Sequence, residues 1–230
     1  MAKKKVILFI VEGISDELAL EGSLRNIYKP NEIKFCIVRS DITTKIGVNK
    51  NNIKNKITEL IKNELERAPY VKKDILKIIH FTDMDGAYID KSAIVEDLNC
   101  VKFTYSETNI CACSKDKVIE RNFKKSENLD ALSTMTKVYS NLSYSLYYFS
   151  CDQEHVLHNL MNVETKDKER LAEEFNDRYE DNFEGFKNFI TSNEIKVDGN
   201  HRETWEFIKK DNNSLKRYSN LHLLLEDEGQ

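Results

Sequence analysis

The chain has 230 residues, 40% of them hydrophobic and 32% charged, a composition that can bury a core and excludes an intrinsically disordered protein. A formal charge of -4 excludes a uniformly basic nucleic-acid binder and leaves local lysine clusters, at Lys3 to Lys5, Lys45 to Lys56 and Lys209 to Arg217, as the basic surface. No apolar stretch is long enough to span a bilayer or to form a signal-peptide core, so a cytoplasmic protein with no membrane partner is expected.

The first element is the run Val6 to Val11, apolar throughout. A strand without polar alternation is buried on both faces, as in a parallel sheet covered by helices. It stops at Glu12-Gly13, where glycine allows a tight turn, and a helix begins with Ser15 as its cap and Asp16 and Glu17 in its first turn. Leu20, Leu24, Ile27 and Tyr28 form the apolar face of that helix, which breaks at Pro30-Asn31. A second strand is expected at Ile33 to Val38, then a polar loop, Arg39 to Asn52, suited to following a phosphate backbone. A helix follows at Ile53 to Arg67, where Ile53, Ile57, Leu60, Ile61 and Leu65 recur at helical spacing.

The third strand, Ile75 to Thr82, ends in Asp83-Met84-Asp85-Gly86. Two carboxylates separated by one residue at a strand end make an oxygen-rich site of the kind that hard divalent cations prefer. Ligands bind at the carboxyl ends of strands in open α/β sheets, so Glu12, Asp83 and Asp85 converge if the two strands are neighbours. A short helix is expected near Ser92 to Leu98, and a fourth strand at either Val101 to Thr104 or Asn109 to Cys113.

The two motifs, Glu12-Gly13-Ile14-Ser15-Asp16 and Asp83-Met84-Asp85, each following an apolar strand, resemble those of the Toprim domain of primases, topoisomerases, recombination mediators and OLD-family nucleases. The resemblance covers residues 4 to 113 and implies a Rossmann-like, mainly parallel sheet flanked by helices. It also implies a Mg2+ site, with Mn2+ as the substitute ion. In that assignment Asp83 and Asp85 anchor a metal, Glu12 shares a metal or acts as general acid/base, and Asp16 reaches a second ion or simply stabilises the helix start. Lys115 is the candidate for steadying the phosphorane charge.

From Ser114 onward the texture changes, and the expected division is 1–113 for the Toprim part and 114–230 for a mostly helical extension packed on it. Short helices are expected at Lys115 to Phe123 and Leu129 to Leu142, and Tyr144 to Ser150 reads as an edge strand or part of a small second sheet. At the junction after it, Glu154 is a candidate further metal ligand. His155 and His158, one turn apart, read more readily as a packed and an exposed histidine than as a metal pair. One amphipathic helix is expected over Lys166 to Ile190, with Phe175, Tyr179, Phe183, Phe186 and Ile190 as core. Two more helices are expected at Glu203 to Lys210 and Leu215 to Leu225.

Cys36, Cys100, Cys111, Cys113 and Cys151 read as reduced and buried, and Cys111-Ala112-Cys113 lacks the second ligand pair of a zinc module. No GxxxxGK[ST] loop is present, whereas OLD-family chains join an ATPase to Toprim, so an ATPase would be a separate partner. The size matches neither a topoisomerase nor a primase. The expected function is metal-dependent cleavage of DNA or RNA, by family context as a phage-defence effector, and a homo-oligomer is compatible with it. The alternative is a noncatalytic Toprim module for nucleic-acid binding or assembly in recombination.

Overall fold

The computed structural model describes residues 5–29, 31–37 and 41–226. Lys3, Lys4, Pro30, Val38 and Arg39, all used in the expectations above, lie outside the described residues. Strand β1 (Val6–Val11) is buried along its whole length. Its side chains alternate between two cores, with Ile7, Phe9 and Val11 on one face and Val6, Leu8 and Ile10 on the other. Each such side chain contributes about 1.5–3 kcal/mol on burial, which is why the strand carries no polar residue.

The chain continues through α1 (Ile14–Ile27), β2 (Glu32–Ile37), α2 (Ile53–Arg67) and β3 (Ile75–Asp83), as the periodicity implies. Three short strands follow, β4 (Ile94–Glu96), β5 (Thr104–Tyr105) and β6 (Ile110–Ala112), then α3 (Lys115–Ser133), β7 (Lys137–Val138) and β8 (Leu142–Phe149). The last part holds α4 (Gln153–His158), α5 (Thr165–Tyr179), α6 (Phe183–Ile190) and α7 (His201–Ile208). The main sheet has the order β2-β1-β3-β8-β7 and is parallel except for β7; β4, β6 and β5 form a separate sheet. It is therefore an α/β fold with a mainly parallel sheet between helical layers. Helices α1, α5 and α6 cover one face, and α2, α3 and α7 the other. A row of rings crosses the first face, Phe35 to Phe9 at 5.4 Å, Phe9 to Phe81 at 5.7 Å and Phe81 to Phe149 at 6.0 Å.

Several expected elements differ. The fourth strand of the main sheet is neither Val101 to Thr104 nor Asn109 to Cys113, whose strands pair in the small sheet. It is β8, lying parallel to β3 with Asp83 opposite Phe149. An aromatic run reads the same whether central or at an edge, and here its neighbours on both sides make it central. The main sheet thus draws on residues from both sides of 113/114. The helix near Ser92 to Leu98 is a 3-10 turn followed by β4. The helix expected at Lys115 to Phe123 and the start of the one expected at Leu129 to Leu142 are a single helix, α3, which ends at Ser133 ahead of strand β7; half of its buried residues are polar, Asn122, Lys125 and Asn128 beside Val118, Leu129 and Leu132, which hides the period. The helix expected over Lys166 to Ile190 is two, since Asn182 caps α6 by accepting from Gly185 N at 2.9 Å. Its aromatic stripe is core, with Phe175 and Tyr179 centroids 4.8 Å apart. Leu215 to Leu225 is not one helix: Leu215 ends a 3-10 turn, Asn213–Leu215, and a second 3-10 segment spans Leu221–Leu225.

Gly13 is extended (φ -140) with no atom within 4 Å of where a Cβ would stand, so the turn after β1 does not require glycine. Gly86 does: its φ is +66, and a Cβ would meet Leu215 Cδ2 at 2.6 Å and Ile110 Cδ1 at 2.9 Å. Strain and overpacking each cost about 1–3 kcal/mol, so Gly86→Ala is expected to lower the melting temperature by about 5 °C or more. A thermal scan indistinguishable from the wild type would show that the neighbours give way freely. Among the described residues, no helix is long and apolar enough to cross a membrane.

Candidate metal centre at the carboxyl ends of the strands

Three neighbouring parallel strands deliver carboxylates to one edge of the sheet. Glu12 follows β1, Asp83 and Asp85 end β3, and Asp152 and Glu154 follow β8. Asp41 joins them from the loop after β2, through Lys125. The turns that present them are strained: Asp85 and Cys151 have φ of 50 and 61, and Asp85 N donates to Cys151 O at 2.7 Å. Non-glycine residues in the left-handed region cost free energy and persist where the surroundings enforce them, often at functional sites.

The expected site residues fare differently. Glu12, Asp83 and Asp85 come to the same edge, Glu12 Oε1 accepting from Asp83 N and Thr82 Oγ1, both at 3.4 Å. Asp16 is there too, but Asp16 Oδ2 accepts from Glu12 N at 2.9 Å and Gly13 N at 2.8 Å. It therefore stabilises the start of α1, whose cap is Gly13 rather than Ser15. Glu154 is buried in an ion pair with Lys168, 2.8 Å away. Lys115 opens α3 with its backbone N toward Glu96 and its charge near Asp90, not beside these carboxylates. It lies ten residues before Lys125, about 15 Å along the helix.

The lysine at the site is Lys125, whose side chain is 0% exposed and whose Nζ lies 2.7 Å from Asp41 Oδ2 and 2.5 Å from Asp85 Oδ2. The same helix ties the site's loops together. Lys124 donates to the carbonyls of Thr44 and Lys45, Asn128 to that of Thr43, Asn122 to that of Gly86 and Arg121 to that of Asp85. The polar loop expected to follow a phosphate backbone is, over 41–45, held against α3.

Burial raises the carboxyl pKa of Glu12 well above its usual range; Asp41, Asp85 and Asp16 add to this and Lys125 opposes it. Burial and then the charges of Glu12, Asp16, Asp152 and Asp85 raise Asp83 likewise. Asp16 and Asp152 are each pushed up to about 6, chiefly by burial, with Glu154 repelling both. Burial would raise Asp41 as well, but Lys125 and Thr43 outweigh it and hold it at about 2. Among the described residues Asp83's carboxylate receives no hydrogen bond, and Asp152 uses Oδ1 to accept from His155 N at 2.8 Å. Carboxylate oxygens in excess, repelling one another with few donors to satisfy them, are groups that could hold a hard cation. The set is open: no three of these carboxylates, Asp152 included, bring oxygens within 4.8 Å of one another.

A pH dependence follows. A carboxyl raised in the folded chain binds its proton more tightly there than when unfolded, so stability is gained as pH falls through the folded pKa and lost as pH rises through it. With Asp16 and Asp152 at about 6, the metal-free chain is expected to melt higher at about pH 5 than at about pH 8. Saturating Mg2+ should narrow the difference, and equal melting temperatures in EDTA would contradict the repulsion.

His155 is buried with Nε2 3.9 Å from Glu107, while His158 packs edge-on to Phe175, so the two face different partners. Cys36 and Cys151 are buried; Cys100 and Cys111 are half-buried with sulfurs 2.8 Å apart, and Cys113 is exposed. Asp97, Cys100 and Cys111 are the one group of three acidic, thiol or imidazole ligands within 4.8 Å among the described residues.

Asp41, Lys125, Asp152 and Lys168 were not singled out by sequence. Asp152 carried a signal, as a helix-capping aspartate directly after an apolar run, whereas Asp41 and Lys125 sit in ordinary polar stretches. Compared with protein-family models, with curated proteins and with solved structures, the chain gives no match.

Proposed function

We propose that the chain is a Toprim-type, Mg2+-dependent nuclease that hydrolyses phosphodiester bonds in DNA or RNA. The observation that carries this reading is the convergence of Glu12, Asp83 and Asp152 at adjacent strand ends, with their charges incompletely countered. The donor chemistry of these carboxylates suits a hard divalent ion, although their oxygens would have to draw together around it; when bound, the ion would supply Lewis acidity toward phosphoryl oxygen and lower the pKa of water.

The chain's own residues supply the rest. Glu12, whose carboxyl pKa is raised by burial, stands at the strand end where a general acid/base would act. Lys168, whose side chain is 33% exposed, presents positive charge at the rim beside Glu154, where a phosphate oxygen would be met. Lys125 is fully buried and orients Asp85 and Asp41 rather than touching substrate. On this reading the protein works in the cytoplasm, any ATPase it needs is a separate chain, and a phage-defence role is in keeping with the chemistry.

The test is cleavage of labelled plasmid DNA, single-stranded DNA and total tRNA in EDTA, Mg2+ or Mn2+. Metal-dependent cutting is expected, reduced about 100-fold or more in Glu12→Ala. A wild type that binds the ion yet cuts none of the three would favour the noncatalytic binding or assembly module instead.

A further inference from the structure

We infer that Asp97, Cys100 and Cys111 form a binding site for one thiophilic divalent ion of the Zn2+ type, which clips the turn after β4 to strand β6. The site shares no residue with the carboxylate edge and goes beyond the function proposed for it.

A carboxylate oxygen of Asp97 and the sulfurs of Cys100 and Cys111 all lie within 4.8 Å of one another. Two pieces of chain bring them together. Asp97 follows β4 and opens a turn in which Cys100 N donates to Asp97 O at 2.9 Å, while Cys111 stands in the middle of β6. Asp97 N donates to Ala112 O at 2.9 Å, which fixes the start of the turn beside β6. An Asp-x-x-Cys turn is thus set against a cysteine-bearing strand, and it brings the partners that Cys111-Ala112-Cys113 lacks within its own stretch. Asp97 Oδ1 accepts from Asn99 N at 2.9 Å and from Asn99 Nδ2 at 3.0 Å, whereas Oδ2 receives no hydrogen bond among the described residues. Thiolates together with a carboxylate select Zn2+ over Mg2+, and three protein ligands leave the fourth tetrahedral position to water.

The two sulfurs are 2.8 Å apart, inside the van der Waals contact of unbonded sulfur atoms, so a covalent bond or a shared ion is needed to relieve them. Asp97 favours the ion. A carboxylate has no part in a disulfide and disfavours the thiolate through which one forms, and the Cys100 thiol is pushed up to about 11, first by its hydrogen bond with Cys111 and further by Asp97. A divalent cation reverses that effect, because it attracts all three groups. Zn–S bonds of about 2.3 Å in tetrahedral geometry set two sulfurs about 3.8 Å apart, so the thiols part by about 1 Å on binding. The turn is free to allow this, since Leu98 and Val101 on either side of Cys100 are 85% and 99% exposed. The same exposure means that apolar burial does little to hold the turn, and a metal clip supplies stability of the kind that a small core cannot. Binding converts both thiols to thiolates and releases two protons per ion, with no change of oxidation state.

The experiment is titration of the full, reduced chain with Co2+, whose ligation by thiolate gives a charge-transfer band that oxygen ligands do not. One thiolate-bound Co2+ per chain is expected, and Zn2+ should displace it. Cys100→Ser and Cys111→Ser are each expected to weaken it about 50-fold or more, and Asp97→Asn about 10-fold, the scale of losing a charged ligand. Cys113→Ser, which removes an exposed thiol outside the group of three, should keep Kd within about 5-fold. Absence of the charge-transfer band, or undiminished affinity in Cys100→Ser, would overturn the inference. So would a reduced chain that takes up no Co2+ but closes a Cys100–Cys111 disulfide with oxidised glutathione, which would make the two thiols a redox couple instead.

Discussion

Asp83→Ala is expected to abolish the Mg2+-dependent rise in melting temperature together with all metal-dependent cleavage. An ion that binds only the native state stabilises it by about 2.7 kcal/mol at a hundredfold excess over Kd. In a chain of this size that corresponds to about 5–10 °C. Asp83 lies between Glu12 and Asp152 on the middle strand of the three and has no donor of its own among the described residues, so in the proposed site its removal takes out the central ligand. The variant remains folded in EDTA, because the lost carboxylate is one that burial and four neighbouring charges disfavour. Thermal scans with EDTA and with Mg2+ therefore separate loss of the ion from loss of the fold. A shift as large as the wild type's would reject Asp83 as a ligand.

Lys125→Met is expected to destabilise the metal-free protein by about 3–5 kcal/mol, lowering the melting temperature by about 10 °C or more. The cost comes less from the lost attraction than from what remains: Asp41 and Asp85 facing each other with no cation between them. Asp41, held at about 2 by Lys125 and Thr43 against the effect of burial, contributes stability above its unfolded pKa that is lost as pH falls toward 2. Without the lysine that contribution shrinks or reverses. A double variant that adds Asp41→Asn should recover part of the loss, since it removes one stranded charge, and the non-additivity measures the coupling. Mn2+ should recover more, an ion entering where the ammonium was. Wild-type stability of Lys125→Met in EDTA would mean that the buried pair is far weaker than its geometry implies.

The two strands that begin the site were legible because their signals are local. Val6 to Val11 and Ile75 to Thr82 are apolar runs bounded by carboxylates, and a strand buried on both faces has few other ways to be written. Glu12, Asp83 and Asp85 were found for the same reason: the side chain at the end of such a strand lies at the sheet's edge wherever the strand sits. Asp16 and Glu154 were found as neighbours of those ends, but their partners, the backbone of Glu12 and Gly13 and the ammonium of Lys168, came only with the tertiary structure. Helix α3 misled because half of its buried face is polar, and periodicity counts buried asparagine and lysine as exposed.

The sequence alone therefore determined the alternation of strand and helix, a parallel sheet covered on both sides, and the acidic ends of its first and third strands. Each of these follows from a pattern within a few residues. Only the tertiary structure decided that β8 pairs with β3, that Asp152 thereby reaches the site, and that Lys125 closes on Asp41 and Asp85 from 84 and 40 residues away. An ion pair forms at under 3 Å through space, and no local pattern records which distant carboxylates a folded helix will bring to its lysine.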